Sequence, residues 1–418
     1  IKTINKMKKY NFEKTLLVIG AGPEACEGIR TAHDMGLNLI IADGNPSAPG
    51  FAWAKVKLVI STYDSSALLK AATNLHFNGH PLDGAIAMCA DVPVSVAKIT
   101  SALQLPGLSL QTAEWVADKL LMKERLHECG IPIPRFMAVN SSLDLFKASD
   151  ILDFPFVIKP VDSRGARGVL LLDHPDQFEW AFQAAQKESP TGRVMVEEYL
   201  PGPQISTETL IDDGRCHTLG FSDRNYEWLE KTRPYIIENG GDAPTSLTDT
   251  QQRDVVHTVE RAALALGIHR GVAKGDMVLT PEGAKVIEIA GRLSGGYFST
   301  TQIPLFTGVP FIEMAIRLAL GENLPPEAVV PRQNQAVAIR YLDLPAGALA
   351  SLEGLDEAKS APGVHMLKLF VGAGDTLTAV ENHTQRAGFV ITTGADKQQA
   401  IERAHHALAL VKVSYAQE

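Results

Sequence analysis

The sequence predicts a protein of mixed fold class, α/β in its N-terminal part and α+β beyond it, divided into two to four domains. The chain has 418 residues, which is too long for a single hydrophobic core. Apolar runs alternate with helical patterns up to about Gly107, which is typical of βαβ units in a parallel sheet. Strand and helix signals return from Phe136, and beyond Gln333 strands and turns alternate before a final helix.

The elements follow one another with short gaps. In the first part, strands are predicted at 15–20, 37–42, 57–60 and 84–88, with helices at 24–35 and 65–75. Later elements are a helix at 112–129, strands at 154–160 and 194–200, and helices at 249–266 and 397–410. Residues 1–14 are basic and polar without the apolar stretch of a secretory signal, and are predicted to form an N-terminal arm.

Composition excludes several classes of partner. The net charge of −9, with no basic tract, disfavours nucleic acid. No run approaches 18 apolar residues, so that no transmembrane helix or membrane partner is expected. The four cysteines are scattered without metal-type spacing, which favours reduced thiols in the cytoplasm over disulfides or a zinc site.

The hairpin at 275–292 carries the most chemical information. Thr280–Gly283 suits a type I turn, and a three-residue loop with a bulge pairs Thr280 with Ala284. That register places Asp276 opposite Glu288, with Cβ atoms roughly 5 Å apart. Two carboxylates this close repel unless a proton or a cation separates them. The pair therefore indicates a divalent metal, and Arg292, on the same face, indicates an anion beside it.

A second segment is suited to phosphate. Lys159 ends an apolar strand, and the loop that follows contains two arginines and two glycines at 164–168. A strand-end lysine with backbone N–H groups freed by glycine can bind polyphosphate. Magnesium prefers one or two carboxylates together with phosphate oxygens, which this loop and the acidic hairpin would supply jointly.

An alternative interpretation starts from the first turn of the chain. Gly20-x-Gly22-x-x-Ala25 with Asp43 about 20 residues later nearly matches the dinucleotide fingerprint and would predict an NAD-dependent oxidoreductase. Pro23 interrupts that loop, and no second half of a dinucleotide fold follows, so we favour the metal and phosphate interpretation.

The combined motifs resemble those of the ATP-grasp superfamily, in its carboxylate–amine ligase branch of bacterial L-amino acid ligases and purine-pathway enzymes. The resemblance rests, in the family's order, on Asp118-Lys119, Val157-Ile158-Lys159-Pro160, 163–169, 196–202, 286–288 and 292–296. It implies an N-terminal α/β domain at 15–110 and an ATP-grasp core at 111–330. The core would have a nucleotide lobe at about 135–200 and a metal and substrate lobe at about 201–330. A small C-terminal α+β domain would occupy 331–418.

The resemblance also implies a role for individual residues. The nucleotide site would comprise Lys119, Lys159, Ser163, Gly165, Gly168, Glu197, Leu200 and Gln204. In it the lysines would neutralise the phosphates, the loop 163–168 would close over them, Glu197 would accept the adenine amino group and the Leu200 backbone would read the adenine edge. Many members have a ribose-binding glutamate where this chain has Gln204, and Glu208 is the candidate to compensate.

The remaining implied roles concern metal and substrate. Asp276 and Glu288 would hold Mg²⁺ (or Mn²⁺), while many members place an Asn where this chain has Ala290. The catalytic residues would be Arg292, which grips the carboxylate and its acyl-phosphate, and Arg167 in the closing loop. Candidates for substrate contacts are Arg224, Arg233, Lys274, Gly295 and Gly296.

The resulting expectation is a cytoplasmic ATP- and Mg²⁺-dependent ligase that joins a carboxylate, an amino acid in our interpretation, to an amine. Both substrates would be small molecules, and dimers are frequent in the family. A purine-pathway or carboxylase-type enzyme that uses formate or bicarbonate is the first alternative. An inactive nucleotide-binding sensor, suggested by Gln204 and Ala290, is a further one.

Overall fold

A computed structural model describes residues 14–416. The predicted N-terminal arm at 1–14 lies outside the described residues except for Lys14. In chain order the strands are β1 Thr15–Ile19, β2 Asn38–Asp43, β3 Val56–Val59, β4 Gly84–Ala87, β5 Phe136–Val139, β6 Phe156–Pro160, β7 Leu170–Leu172, β8 Val194–Glu198, β9 Gln204–Asp212, β10 Arg215–Asn225, β11 Gly240–Ala243, β12 Gly271–Thr280, β13 Gly283–Ala290, β14 Ala336–Tyr341, β15 Gly347–Glu353, β16 Val364–Leu369, β17 Thr376–Leu377, β18 Gly388–Gly394 and β19 Lys412–Tyr415.

The helices lie between these strands on the faces of the sheets. In chain order they are α1 Cys26–Asp34, α2 Ser65–Phe77, α3 Pro93–Ala102, α4 Leu110–Ala117, α5 Lys119–Glu128, α6 Ser142–Ser149, α7 Phe178–Lys187, α8 Leu229–Thr232, α9 Asp249–Ala265, α10 Ile303–Thr307, α11 Phe311–Ala319, α12 Leu355–Ser360 and α13 Lys397–Leu410. Within 14–416, no helix combines the length and apolar character needed to cross a bilayer.

The N-terminal part forms the predicted parallel sheet, in the order β3-β2-β1-β4. Its central strand β1 is entirely buried, because helices cover both faces. Ile29 of α1 shares a core with Ile312 and Ile316 of α11. This contact attaches the parallel sheet to the rest of the molecule and fixes the position of its loops.

The predicted helix at 112–129 is instead two helices, α4 and α5, separated at Asp118. Asp118 adopts an extended backbone, and its side chain accepts hydrogen bonds from the N–H groups of Leu120 and Leu121. An aspartate in that position is a favourable N-cap, which explains why a second helix begins there. The Lys119 N–H donates to the Val161 carbonyl at 2.8 Å, which ties the start of α5 to the end of β6.

Two antiparallel sheets form the middle of the chain. The first has the order β5-β8-β6-β7, and the second is an eight-stranded sheet in the order β13-β12-β9-β10-β11-β14-β18-β16. The larger sheet continues across the predicted boundary at 330, because Gly240 of β11 pairs with Arg340 of β14. One sheet thus contains strands from both sides of residue 330, and the predicted domain limits stay a prediction. A small sheet, β17-β15-β19, completes the C-terminal part.

Candidate active site

A cavity of about 710 Å³ opens between the parallel sheet and the two antiparallel sheets. Most of the predicted site residues line it, although they come from separate parts of the sequence. Those in the wall are Lys119, Lys159, Ser163, Gly165, Glu197, Leu200, Gln204, Arg224, Lys274, Asp276, Glu288, Arg292, Gly295 and Gly296. Arg167, Gly168 and Arg233 are not among the lining residues.

The hairpin turn differs from the prediction. It contains two residues, Pro281 and Glu282, so that Thr280 pairs with Gly283. The predicted pairing of Thr280 with Ala284 is therefore wrong. The Thr280 hydroxyl explains the tighter turn, because it donates to the Gly283 carbonyl and accepts the Glu282 N–H.

The predicted pairing of the two acids is nevertheless confirmed. A bulge in β13 inserts Ile287 between two ladder pairs, which shifts the register by one residue and places Asp276 opposite Glu288. The bulge thus compensates for the shorter turn. Both carboxylates line the cavity, with the Asp276 side chain 11 % exposed and that of Glu288 25 % exposed.

Basic residues surround both acids. Arg224 Nη1 lies 2.9 Å from Asp276 Oδ1, and Lys274 pairs with the other oxygen. Lys119 Nζ lies 3.3 Å from Glu288 Oε1. Burial alone would raise the pKa of Asp276, but Arg224 and Lys274 hold that pKa well below its ordinary value. The carboxylate is therefore ionised at neutral pH.

The two acids fit a metal ion that is completed by phosphate. Asp276 Oδ1 is buried and accepts no well-aligned hydrogen bond despite its proximity to Arg224. Within residues 14–416 no cluster of three or more histidine, cysteine or acidic side chains could enclose a metal unaided. Two carboxylates that need oxygens from a ligand are the donor set that Mg²⁺ favours in phosphate-binding sites.

A buried ionic cluster lies behind the predicted nucleotide site. Glu197 pairs with Lys159 through one oxygen and lies 2.8 Å from Lys123 Nζ through the other. Burial opposes the ionised form of Glu197, but the two lysines lower its pKa to about 2. Burial lowers the pKa of Lys123 to about 8, against the attraction of Glu197. Sequence analysis missed Lys123, one helical turn after Lys119, because its charge gave no sign of complete burial.

The loop 163–168 forms part of the cavity wall and contacts both neighbouring parts of the chain. The Arg164 guanidinium lies over the Tyr63 ring at 4.3 Å and donates to the Asp91 carbonyl at 3.2 Å. On the other side, the His383 N–H donates to the Gly165 carbonyl at 2.9 Å. The loop therefore bridges the N-terminal and C-terminal parts of the chain.

Arg292 follows β13 and pairs with Asp91 in the cavity wall. Its Nε lies 3.3 Å from Asp91 Oδ1, and its Nη1 donates to the Leu293 carbonyl. Although burial favours the neutral acid, Arg292, Lys119 and Arg164 keep the pKa of Asp91 below its ordinary value. The guanidinium is held in place by an ionised carboxylate while it lines the cavity.

Four predicted site residues lie elsewhere. Arg167 donates to the Arg164 carbonyl, and Gly168 at φ +70° packs against Pro160, so that both shape the loop. Arg233 pairs with acidic side chains outside the cavity. Glu208 does not line the cavity either.

Glu208 is completely buried and supports the loop after Arg292. Its carboxylate accepts hydrogen bonds from the Ser294 N–H at 2.9 Å and the Ser299 hydroxyl at 2.6 Å. Burial raises the pKa of this carboxyl, with both hydrogen bonds opposing the shift. The candidate role of Glu208 in compensating for Gln204 is thus replaced by a structural one.

The geometry also explains the fingerprint-like loop near the N-terminus. Asp43 Oδ2 accepts the Ala21 N–H at 2.7 Å, and Oδ1 accepts the Asn45 N–H. Both oxygens of the acid that would bind a ribose are therefore used to hold the loop. Gly50 also packs against Ala21, because the Gly50 N–H donates to the Ala21 carbonyl at 2.9 Å. These contacts do not favour the oxidoreductase interpretation.

Comparison with known families agrees with this arrangement. The ATP-grasp domain family matches residues 116–296, which include the acidic hairpin, the closing loop and the buried cluster. Residues 116–296 therefore form an ATP-grasp domain. The family described as L-amino acid ligase C-terminal domain 2 matches residues 340–416.

The fold of this chain is shared with solved structures. An L-amino acid ligase from Bacillus licheniformis superimposes with a TM-score of 0.83 at 22% identity, covering 97% of this chain and 99% of that one. The N5-carboxyaminoimidazole ribonucleotide synthetase from Thermotoga maritima gives a TM-score of 0.72 at 19% identity, covering 96% and 100%. At these identities the likeness concerns the fold.

Curated relatives are longer than this chain. An uncharacterized protein of Sinorhizobium fredii is 27% identical over 314 residues, covering 73% of this chain and 63% of the relative. Carnosine synthase 1 of Gallus gallus is 26% identical over 378 residues, covering 82% and 40%. The carbamoyl phosphate synthase large chain of Thermotoga petrophila is 21% identical over 375 residues, covering 83% and 31%.

The same cavity also contains residues that were not predicted from the sequence. His383 and Arg386 reach it from the C-terminal part, and His383 Nε2 accepts the Glu238 N–H at 3.1 Å. Burial and nearby positive charges, Arg386 first, hold the pKa of His383 well below its ordinary value, so that this imidazole is neutral. Arg386 stacks on the Tyr341 ring at 3.6 Å. No local pattern marks these residues, because only the tertiary fold brings them to the site.

Proposed function

We propose that this protein is an ATP- and Mg²⁺-dependent ligase that joins the carboxyl group of an amino acid to an amine through an acyl-phosphate. The observation that carries the proposal is the opposed pair Asp276 and Glu288, in one cavity with Lys119, Lys159 and Arg292. This set supplies a metal site, counter-charges for a triphosphate and a cation for the acceptor carboxylate.

The nucleotide would occupy the side of the cavity beside β6 and β8. Lys119 and Lys159 would neutralise its phosphates, with Lys159 exchanging Glu197 for a phosphate oxygen. Glu197 would then accept the adenine amino group while Lys123 still balances its charge. Asp276 and Glu288 would hold Mg²⁺, which when bound supplies further neutralisation of phosphate charge.

The chemistry requires no protein nucleophile. An oxygen of the substrate carboxylate attacks the γ-phosphorus, the bond to the bridging oxygen of ADP breaks, and ADP leaves. The amine nitrogen then attacks the carbonyl carbon of the acyl-phosphate, loses a proton and expels phosphate. Arg292 stabilises negative charge on the carboxylate and the transferred phosphoryl group. The loop 163–168 keeps water from the acyl-phosphate.

Phosphate release from ATP across a panel of amino acids, singly and in pairs, tests this proposal. Release is expected to require a particular amino acid, and Glu288→Gln should reduce it by about a hundredfold or more because a metal ligand is lost. Glu282→Gln is the matched control, since Glu282 lies in the exposed turn of the same hairpin. Release with formate or bicarbonate, and none with amino acids, would instead favour a purine-pathway or carboxylase-type enzyme.

A further inference from the structure

Glu24 places a carboxylate in the cavity from the loop between β1 and α1. Its Oε2 accepts the Gly296 N–H at 3.2 Å. A Cβ atom at Gly295 would lie 2.9 Å from the same oxygen, so that the absence of a side chain at 295 permits the approach of Glu24. The acid is half-buried and sits directly against the loop that follows Arg292.

The surroundings of Glu24 differ from those of the other acids in the cavity wall. Each of the others has a lysine or arginine nitrogen within 4 Å, namely Asp91, Glu197, Glu198, Asp223, Glu238, Asp276 and Glu288. Within the described residues 14–416, no such ion pair involves Glu24. Its charge is therefore available to a positively charged group that enters with a ligand.

The groups beside Glu24 also suit an ammonium group. Tyr341 and Phe389 line this end of the cavity with their rings 5.9 Å apart, and Phe370 lies 5.8 Å from Phe389. A Cβ at Gly296 would lie 3.4 Å from the Tyr341 hydroxyl oxygen, which places that tyrosine beside the Glu24 contact. Aromatic faces attract ammonium groups and add to the attraction of a carboxylate. Arg386 already stacks on one face of Tyr341, so that the half-exposed Phe370 is the ring with a face open to a ligand.

Arg292 begins the short loop 292–296, and Glu24 contacts the other end of that loop at Gly296. Three residues separate Arg292 from Gly296, so that the Cα atoms of these two residues are within roughly 14 Å of each other. Cys89 fixes this arrangement, because its thiol contacts the Ser294 carbonyl at 3.4 Å and the Glu24 carbonyl at 3.9 Å. A small ligand with an anionic group at Arg292 and a cationic group at Glu24 matches this distribution of charge.

We infer that Glu24 binds the protonated amino group of the substrate whose carboxylate is activated at Arg292, so that this substrate is an amino acid with a free amino group. The inference deepens the proposed function and rests on its assignment of Arg292. It excludes formate, bicarbonate and N-acylated amino acids as the activated substrate, because none of them carries an ammonium group.

The test compares the wild-type protein with Glu24→Gln, which removes the charge and keeps the size of the side chain. Binding of the twenty common amino acids is measured by calorimetry in the presence of Mg²⁺ and adenylyl imidodiphosphate. For each amino acid that binds, the deaminated acid is measured as well, such as propionate for alanine. Glu24→Asp tests rescue of the charge. Glu27→Gln is the matched control, because Glu27 pairs with the exposed Arg30 and does not line the cavity.

The expected result is a Kd for the amino acid about tenfold to a hundredfold higher in Glu24→Gln, the range for a lost charge-assisted hydrogen bond. The Kd for the nucleotide analogue should not change, which shows that the variant is folded. Glu24→Asp should recover part of the affinity, and the deaminated acid should bind weakly and equally to all variants.

Three results would overturn the inference: no binding of any amino acid, equal binding of the amino acid to Glu24→Gln and wild type, or a deaminated acid that binds as tightly as its parent. The proposed ligase activity fails separately. Amino-acid binding that depends on Glu24 without phosphate release would remove the ligase and keep the ammonium site. Phosphate release that is independent of Glu24 would keep the ligase activity and remove the ammonium site.

Discussion

Replacing Arg292 by methionine is expected to reduce amino-acid-dependent phosphate release by roughly a hundredfold to a thousandfold, the usual cost of removing a preorganised group that stabilises transition-state charge. The KM for ATP should change little, because Lys119 and Lys159 contact the nucleotide in the proposed complex. The effect should therefore appear in kcat and in the KM for the amino acid. Steady-state assays with each substrate varied in turn separate these quantities.

The loss of Arg292 also leaves the carboxylate of Asp91 without its partner. Asp91→Asn combined with Arg292→Met removes both charges, and it should restore stability without restoring activity. Arg253→Met is the control, since this arginine is exposed on α9 and donates to the Thr250 hydroxyl, away from the cavity wall. An Arg292→Met protein that retains wild-type kcat would contradict the role assigned to the guanidinium.

Replacing Glu197 by glutamine is expected to cost about 3–5 kcal/mol of stability, the typical cost of leaving buried charges without a partner. Lys123 and Lys159 would both lose their counter-ion in a site that is almost completely buried. The shift of the urea unfolding midpoint measures this loss. The neighbouring Glu198→Gln is the control, because its partner Arg135 is half-exposed and the expected cost is about 1 kcal/mol.

A second substitution tests whether the charge is the cause. Lys123→Met removes one of the two lysines, and it should make the Glu197→Gln protein more stable rather than less, because fewer unpaired charges remain buried. Additive destabilisation in the Lys123→Met/Glu197→Gln protein would show that packing, and not charge, accounts for the effect.

The sequence predicts the chemistry of this site better than its backbone. Asp276 and Glu288 were predicted to oppose each other from a hairpin register that proved wrong at Thr280. The bulge at Ile287 corrects the register, and neither the turn nor the bulge leaves a clear signal in an apolar strand. One face of the sheet is buried, and this burial fixes how β12 and β13 pair, whatever the turn between them. A slip of one residue would move every side chain of a strand to the opposite face.

The helices show where local sequence patterns predict the structure and where they do not. The helix predicted at 397–410 is confirmed at both ends, because Asp396 caps it and its alanine face packs on the C-terminal sheet. The helix predicted at 112–129 breaks at Asp118, whose capping hydrogen bonds compete with continued helix. That break places Lys119 at the first turn of α5, next to Ser163, whose carbonyl accepts its ammonium group at 2.7 Å.

Long-range contacts account for the residues that the sequence did not predict. Lys123, Glu24, His383 and Arg386 reach the cavity or its supporting cluster from separate parts of the chain. The motif that includes Glu24, Gly20 to Ala25, indicated a different chemistry, and no local pattern marked the other three. Arg233 illustrates the opposite error. It stands in the segment expected to shape the substrate pocket, but its guanidinium pairs with Asp173 outside the cavity.

The central claim is that a carboxylate oxygen of the substrate attacks the γ-phosphorus of ATP. The most direct test uses the amino acid that supports phosphate release, labelled with ¹⁸O in both carboxyl oxygens, and mass spectrometry of the released phosphate. The account predicts one ¹⁸O atom in each phosphate, since the oxygen that bridges carbon and phosphorus leaves with phosphate when the amine attacks. Unlabelled phosphate released together with a labelled amide product would contradict the account.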